Sequence, residues 1–243
     1  MIYKDFAQIY DNLMYDFNYD LVYKSILDLY TKSDFKVKNI LELACGTGSL
    51  TEKLAPKFNV DAIDFSEDML AVAQNKTMRY KNVKYFKQDM RTFHMGKKYD
   101  SCLCICDSLN YILEENDIEK IFKSVYEHLE DGGVFIFDLN SEKKFQDMSE
   151  IYVDDTEDVF YVWENFYDEE NKLNTYGVNF FIEEEKGLYR RVYEEHVERA
   201  YSIEFIKDKL NKTIFKNIEI YDDYYFDEEF HEDSHRIVFV AWR

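Results

Sequence analysis

Along the first 140 residues, short apolar runs alternate with segments whose apolar residues recur at helical spacing. Short apolar runs such as NILELA (39–44) and VFIFDLN (134–140) predict strands, and the second run is apolar enough for a strand buried on both faces of a parallel sheet. Other segments carry apolar residues at helical spacing, as in 20–31, where Val22 and Ile26 share a face. Strands that alternate with helices predict a doubly wound α/β sheet.

The remaining segments complete this pattern. Helices are predicted over residues 5–16, 20–31, 50–54, 117–130 and 202–212 and after a Ser66 N-cap, and strands over 39–44, 58–64, 83–87, 99–106, 134–140, 214–224 and 234–243. Asp131, Gly132 and Gly133 are expected to end the helix over 117–130.

The texture changes between residues 152 and 200, where aromatic and charged residues alternate, with breaks at DEENK and EEKG. This alternation predicts an antiparallel meander. We therefore expect a core formed by residues 1–150 and 200–243, with an N-terminal helical cap, and an antiparallel β insertion over 151–199 after the fifth strand.

Composition narrows the class of protein. The chain has 243 residues and is 46% hydrophobic, enough for one core plus an appendage. It opens without a basic segment followed by an apolar one, and no window approaches the roughly 18 apolar residues of a membrane span. These features predict a cytoplasmic protein with no membrane segment, and nothing in the pattern specifies an oligomeric state.

The net charge is −20, and residues 141–235 carry 11 basic and 27 acidic side chains. A field of this sign repels phosphate backbones and argues against a nucleic-acid partner. The acidic second half fits either attraction of an amine or basic protein, or simply a solvated face.

Three of the four cysteines, Cys102, Cys104 and Cys106, alternate along SCLCICDS, and the fourth is Cys45. Period two places the three on one face of a strand, where small side chains pack well. The spacing differs from that of zinc sites, so no metal centre is predicted.

A glycine loop, LELACGTGSL (41–50), follows the first strand, and Asp64 ends the next strand, 18 residues beyond Gly46. An acid there can accept hydrogen bonds from ribose hydroxyls, which suits any nucleoside cofactor. The dinucleotide fingerprint needs a third glycine at position 51, where Thr51 stands. Asp89 and Met90 follow the third strand, where they can meet an adenine. These features on successive strand ends predict one nucleoside site.

The segments ELACGTGSL, DAIDFS, QDM, YDSCLCICDSLNY and LEDGGVFIFDLN, within about residues 38–140, resemble those of class I S-adenosylmethionine-dependent methyltransferases. The whole chain is similar to small bacterial members akin to the glycine and amino-sugar N-methyltransferases, with their FAQIYDNLM-like start and antiparallel insertion. The resemblance implies a mostly parallel seven-stranded sheet with a reversed C-terminal hairpin, and S-adenosylmethionine as cofactor.

The resemblance also implies roles for individual residues. Contacts to the methionine and ribose are expected from Glu42, Ala44, Gly46, Gly48 and Asp64, to the adenine from Phe65, Met69, Asp89 and Met90, and to the sulfonium end from Cys106 and Asp107. Apart from the resemblance, Tyr10 is a further candidate for the sulfonium end, because an aromatic face or hydroxyl favours positive charge. Ala44 stands where the family often has a glycine, and its methyl group is tolerable if φ is negative. Tyr10, Asp107 and His196 are acceptor-side candidates, although Tyr10 also suits an ordinary helix face and His196 a solvated strand.

The chemistry of methyl transfer from a sulfonium asks mainly for alignment and exclusion of water, and a general base matters only if the acceptor arrives protonated. Six aromatic residues of the insertion can line an acceptor pocket, and strand alternation should turn half of them away: Tyr161, Trp163, Phe166, Tyr176, Phe180 and Tyr189.

Our first hypothesis is therefore methylation of a small or medium-sized acceptor, with an amine favoured by the acidic insertion. A protein or ribosome-associated acceptor, a nicotinamide-dependent oxidoreductase and a cofactor sensor without turnover are the alternatives. Thr51 and the lack of an obvious Ser-Tyr-Lys or Cys-His set count against the oxidoreductase.

Overall fold

The computed structural model describes residues 7, 10, 11, 14, 17–33, 35–155, 159–183 and 187–243. The helices in this part are α1 (Tyr19–Lys32), α2 (Ser49–Leu54), α3 (Glu67–Thr77), α4 (Glu115–His128), α5 (Glu142–Asp147) and α6 (Ile203–Lys212), with a short 3-10 helix over Ser108–Tyr111. The strands are β1 (Asn39–Leu43), β2 (Asn59–Asp64), β3 (Val83–Lys87), β4 (Tyr99–Cys104), β5 (Leu129–Asn140), β6 (Ile151–Asp155), β7 (Val159–Asp168), β8 (Leu173–Glu183), β9 (Tyr189–Arg199), β10 (Lys216–Asp222) and β11 (Arg236–Trp242). The helix predicted over 5–16 falls largely outside the described residues.

Seven strands form one sheet in the order β10-β11-β5-β4-β1-β2-β3. Every pair is parallel except those of β11, which runs antiparallel to both β5 and β10. This confirms the expected doubly wound sheet with a reversed C-terminal hairpin.

The second half of β5 shows why residues 134–140 are almost continuously apolar. Phe135 and Phe137 belong to the core on one face of the sheet, while Val134 and Ile136 belong to the core on the other. Because both faces are covered, residues 133–140 are all buried whichever way they point, whereas Glu130 and Asp131 near the start of the strand are exposed.

Two expectations about element ends were wrong. α4 ends at His128 and β5 begins at once with Leu129, so Asp131 to Gly133 lie inside a strand. The pairing between β4 and β5 shifts register after Leu129, and Gly132 takes up the irregularity with φ of 81°. β4 ends at Cys104, so Cys102 and Cys104 share a core while Cys106 lies in the following loop.

β6 to β9 form a separate four-stranded antiparallel sheet, which we call the insertion sheet. Its inner face carries buried aromatic residues such as Tyr161 and Phe180, which pack with Met69 of α3 and Phe145 of α5. Strand alternation turns other aromatic side chains outward, and Phe166 is 68% exposed. No helix among the described residues is long and apolar enough to cross a membrane.

Candidate functional site

A cavity of about 1520 Å³ extends from the carboxyl ends of the central strands to the inner face of the insertion sheet. Eleven of the residues predicted for the site line it: Tyr10, Ala44, Gly46, Asp64, Phe65, Met69, Asp89, Met90, Cys106, Asp107 and His196. Glu42 lines a smaller void of about 30 Å³ that shares several of these residues. Six aromatic residues of the insertion were candidates for the acceptor pocket. Four of them line the large cavity: Tyr161, Trp163, Tyr176 and Phe180. The other two, Phe166 and Tyr189, are exposed.

The glycine loop turns through left-handed backbone at every second residue. Ala44, Gly46 and Gly48 have φ of 50°, 53° and 76°. The condition stated for a methyl group at Ala44, a negative φ, is therefore not met, and this residue is held in a conformation that costs about 1–2 kcal/mol.

The two glycines of the loop face different surroundings. A Cβ on Gly46 would meet nothing within 4 Å, so this backbone is open to the cavity that it lines. A Cβ on Gly48 would lie 2.9 Å from Cβ of Ala73 in α3. Gly48 thus permits close packing of the helix, and Gly46 permits close approach of a ligand.

Asp64 joins the ends of β1 and β2. Its Oδ2 accepts the backbone N–H of Gly46 at 2.9 Å, and its Oδ1 accepts that of Ser66 at 2.8 Å. Each carboxylate oxygen therefore keeps acceptor capacity. Burial raises the pKa of Asp64, and the two backbone donors oppose that shift.

Glu42 lies beneath the loop and is 3% exposed. Its Oε2 accepts a hydrogen bond from Oγ1 of Thr51 at 2.6 Å, and burial raises its pKa to about 8. Thr51 occupies the position of the third glycine in a dinucleotide fingerprint, and here its hydroxyl stabilises a buried acid.

The adenine side of the predicted site contains exposed Phe65, buried Met69 and half-buried Met90 along the cavity wall. Asp89 is paired with Arg91, whose Nε donates to Oδ1 at 2.9 Å and whose Nη2 donates to Oδ2 at 2.5 Å. Hydrogen bonding to Arg91 lowers the pKa of Asp89 and keeps it an anionic acceptor.

The loop after β4 is held by a charge cluster that the sequence did not reveal. Cys106 and Asp107 both have positive φ, of 64° and 49°. Nη1 of Arg236 donates to Oδ1 of Asp107 at 2.9 Å and also to Asp138, which is fully buried. Oη of Tyr224 donates to Asp138 at 2.9 Å. Asp107 is thus anchored by an ion pair at the cavity wall.

Asp11 was also missed, and it holds the N-terminal segment to the glycine loop. Its Oδ1 accepts from Oγ1 of Thr47 at 2.5 Å and from Oγ of Ser49 at 3.0 Å. Its Oδ2 accepts from Nζ of Lys76 at 2.7 Å. We call these four residues the loop clasp; it places the neighbouring Tyr10 on the cavity wall.

The wall that the insertion sheet contributes to the cavity contains Glu198, another residue that the prediction omitted. It is 2% exposed, and its Oε2 accepts from Nδ2 of Asn140 at 3.1 Å. Period two would have revealed it, because Glu198 lies two residues after His196 on β9 and both line the cavity. The ring of His196 packs edge to face against Tyr111 at 5.9 Å.

A metal centre is not apparent in the described part of the chain, which contains no group of three or more His, Cys, Asp or Glu residues placed to hold an ion. All four cysteines are free thiols, and three of them are buried.

Comparison with known proteins identifies the class. A methyltransferase-domain family profile matches residues 40–133. A Geobacillus sp. (strain WCH70) protein named "Putative methyltransferase" is 34% identical over 99% of both chains. The crystal structure of an S-adenosylmethionine-dependent methyltransferase from Clostridium acetobutylicum ATCC 824 is 36% identical, covers 99% of this chain and 98% of its own, and has a TM-score of 0.88.

The chain therefore belongs to the class I S-adenosylmethionine-dependent methyltransferases, and S-adenosylmethionine is its cofactor. This excludes the oxidoreductase alternative. Another relative is the dTDP-3-amino-3,4,6-trideoxy-alpha-D-glucopyranose N,N-dimethyltransferase of Streptomyces venezuelae, which is 31% identical over 54% of this chain and 56% of its own.

Proposed function

We propose that the enzyme methylates an amine of a small molecule held under the insertion sheet. The observation that carries this proposal is one continuous cavity that is lined both by the glycine loop and by the acidic inner face of β9. A volume of about 1520 Å³ exceeds the roughly 300–1,000 Å³ of a usual ligand pocket, which leaves room for a nucleoside cofactor and an acceptor together.

The described residues fit S-adenosylmethionine. The bare face of Gly46 admits a ligand against the backbone, and Asp64 retains acceptor capacity for ribose hydroxyls. Phe65, Met69 and Met90 offer apolar contacts to an adenine, and Asp89 would share its carboxylate between Arg91 and the exocyclic amine.

The other predicted contacts belong to the methionine and sulfonium end of the proposed site, and they are Tyr10, Glu42, Ala44, Cys106 and Asp107. When bound, the cofactor supplies a methyl group on a positively charged sulfur. The task left to the chain is to align the acceptor and exclude water, which can contribute several kcal/mol and at most about 7–11.

The acceptor end favours an amine because its polar wall is acidic. Glu198 and His196 line it together with the hydroxyl-bearing Tyr111 and Tyr176. The Streptomyces relative, by its name, methylates an amino group of a nucleotide-linked sugar.

In this proposal residues 151–199 form an acceptor-side lid on a core of residues 1–150 and 200–243, in a cytoplasmic enzyme.

The cofactor half of the proposal is tested by thermal melting with S-adenosylhomocysteine and, separately, with NAD. A ligand at 100 times its dissociation constant adds about 2.7 kcal/mol, which raises the Tm of a chain of this length by about 5–10 °C. We expect that shift with S-adenosylhomocysteine, a strong reduction in Asp64→Ala and a partial one in Asp64→Asn.

The matched control is Asp61→Asn, three residues earlier on β2. Its Oδ2 accepts a hydrogen bond from Oη of Tyr99 at 2.8 Å. Neither Asp61 nor Tyr99 is among the residues that line the cavity. This variant should melt earlier but retain the full ligand-induced shift. An undiminished shift in Asp64→Ala would show that the ribose binds elsewhere.

The acceptor half is tested by supplying amino sugars and other small amines, each paired with the analogue that has a hydroxyl in place of the amine. Release of S-adenosylhomocysteine is the readout. We expect turnover with the amine of a pair and none with its hydroxyl analogue. Turnover on hydroxyl analogues, or only on a protein fraction, would refute the proposed acceptor class.

A further inference from the structure

We propose that Glu198 binds the ammonium group of the acceptor and takes one of its protons before methyl transfer. This rests on the proposed amine acceptor, and it adds a catalytic residue that lies outside the cofactor-binding loops.

The position of Glu198 is fixed by a network of amides. Nδ2 of Asn110 donates to the carbonyl of Asn140 at 3.1 Å and to that of Arg199 at 2.9 Å, and Oδ1 of Asn110 accepts the N–H of Asn140 at 3.0 Å. Asn110 therefore ties the end of β5 to the end of β9, with Glu198 beside the junction. Asn110 lies in the 3-10 helix Ser108–Tyr111, which begins directly after Asp107. The bonds of Asn110 therefore hold Glu198 at the proposed sulfonium end of the cavity.

The charged and titratable groups around Glu198 come from four elements. They are Asp107 of the loop after β4, Tyr111 of the 3-10 helix, Lys144 of α5 and Tyr176 of β8, with the amide of Asn140 from β5. Burial and the negative charge of Asp107 raise the pKa of Glu198 to about 8, against the opposing effects of Asn140, Lys144 and Tyr176.

This carboxylate lacks a cationic partner at ion-pair distance within the described part of the chain. Nζ of Lys144 instead donates to Oδ1 of Asn140 at 2.8 Å. A buried carboxyl on the wall of a cavity, whose hydrogen-bond donors are the amide of Asn140 and the neutral hydroxyls of Tyr176 and Tyr111, is a site that an ammonium ligand completes, because the incoming positive charge favours the ionised form.

The proton balance is simple. An ammonium nitrogen has no lone pair, so it cannot attack a methyl carbon. Transfer of one N–H proton to an Oε atom of Glu198 leaves both electrons of that bond on the nitrogen and converts the carboxylate to a carboxylic acid. The acid then releases the proton to water. Its pKa near 8, against about 4.3 for a solvated glutamate, makes the Glu198 carboxylate a stronger base, so less energy is needed for it to take a proton from an ammonium group.

His196 is the natural control, since it lies on the same face of β9 and lines the same cavity. Burial lowers its pKa, so its ring is a weaker base than a solvated histidine. If the basic group were His196, its removal would change the proton balance and the removal of Glu198 would not.

The first experiment needs no turnover. The amino sugar that gives turnover in the acceptor assay is titrated into the enzyme saturated with S-adenosylhomocysteine, by calorimetry in two buffers of different ionisation enthalpy. At pH 7 a carboxyl of pKa about 8 is about nine-tenths protonated, so binding should release close to one proton. Glu198→Gln should release almost none, whereas His196→Gln should still release close to one proton per acceptor bound, whatever its affinity for the acceptor.

The second experiment follows kcat/KM with pH. The wild type should rise through a pKa near 8, and Glu198→Gln should lose that limb and fall by about 10²–10⁴-fold. Glu198→Asp should keep a weakened limb, while an unchanged melting shift with S-adenosylhomocysteine shows that each variant retains its fold. An amine that Glu198→Gln methylates with the wild-type pH profile and proton release would overturn this inference and leave the proposed function standing. Absence of turnover with any amine would overturn both.

Discussion

Single residues at the ends of β1 and β4 adopt backbone conformations that a residue with a side chain avoids. Ala44, Cys106 and Asp107 all have φ between 49° and 64°. Each such conformation costs about 1–3 kcal/mol, and it persists only where the surrounding structure holds the backbone in place. All three line the large cavity, so the strain is concentrated where two strand ends form the proposed cofactor site.

The two glycines of the loop should separate stability from binding. In Gly48→Ala the new methyl group would lie 2.9 Å from Cβ of Ala73 and 3.0 Å from Oη of Tyr85, so the free energy of unfolding should fall by about 2–4 kcal/mol. Gly46→Ala meets no protein atom within 4 Å and should lose only the cost of its left-handed φ, about 1–2 kcal/mol.

Affinity for S-adenosylhomocysteine should show the opposite order. The methyl group of Gly46→Ala projects into the cavity, and we expect at least tenfold weaker binding by calorimetry. Urea unfolding supplies the stability measurement for both variants. Equal losses of affinity in the two variants would mean that Gly46 does not face the ligand.

Elements whose signals are local were predictable. β3 has the predicted bounds, and Ser66 caps α3 through a 3.3 Å bond from the N–H of Met69. The junction of α4 and β5 was not predictable, because it depends on Leu129 pairing with Tyr99, 30 positions earlier. Helical spacing of apolar residues carried on through Leu129, so the sequence pattern continued where the hydrogen bonding had changed.

The site divides in the same way. Gly46 and Asp64 belong to neighbouring strand ends, and their spacing reveals them. The partners of the other functional residues are remote: Arg236 is 129 positions from Asp107, and Thr47 is 36 positions from Asp11. Such pairs exist only once the chain has folded, and a single sequence without pairing information does not show them.

The loop clasp predicts an effect on cofactor residence. Asp11→Asn removes the ion pair between Asp11 and Lys76 and weakens the hydrogen bonds from Thr47 and Ser49. Because the charges are partly exposed, this loss should destabilise the clasp by about 1 kcal/mol. Dissociation of S-adenosylhomocysteine should become about fivefold faster, as measured by stopped-flow displacement. Asp20→Asn is the control, since it breaks a 2.6 Å pair with Lys53 away from the cavity-lining residues. Equal off-rates in the two variants would contradict a role for the clasp.

Charge acts on the molecule as a whole. With a net charge of −20, ionisation of further carboxyl groups adds to the self-repulsion of the folded state. Two buried acids, Glu42 and Glu198, have pKa values raised to about 8 by burial. Both stand in the proposed site, so the groups that shape the site also make the stability of the fold depend on pH.

The sign of that dependence follows from proton linkage. Unfolded Glu42 loses its proton near its ordinary pKa of 4.5, whereas folded Glu42 keeps it until about pH 8. Between these values the folded state binds more protons, so the free energy of unfolding should fall as pH rises, by on the order of 1 kcal/mol per pH unit for this group. Urea unfolding of the cofactor-free enzyme at pH 5, 6, 7 and 8 measures the slope.

Glu42→Gln should flatten the slope, because the amide keeps an acceptor for Thr51 and does not titrate. Glu119→Gln is the matched control: the ammonium of Lys209 lowers the pKa of Glu119, so that carboxyl is ionised in the folded state across this range and mostly ionised in the unfolded state. Its slope should remain that of the wild type. A Glu42→Gln curve parallel to the wild type from pH 5 to 8 would show that the buried acid beneath the glycine loop is already ionised in the folded enzyme, and that its bond to Thr51 joins a hydroxyl to a carboxylate.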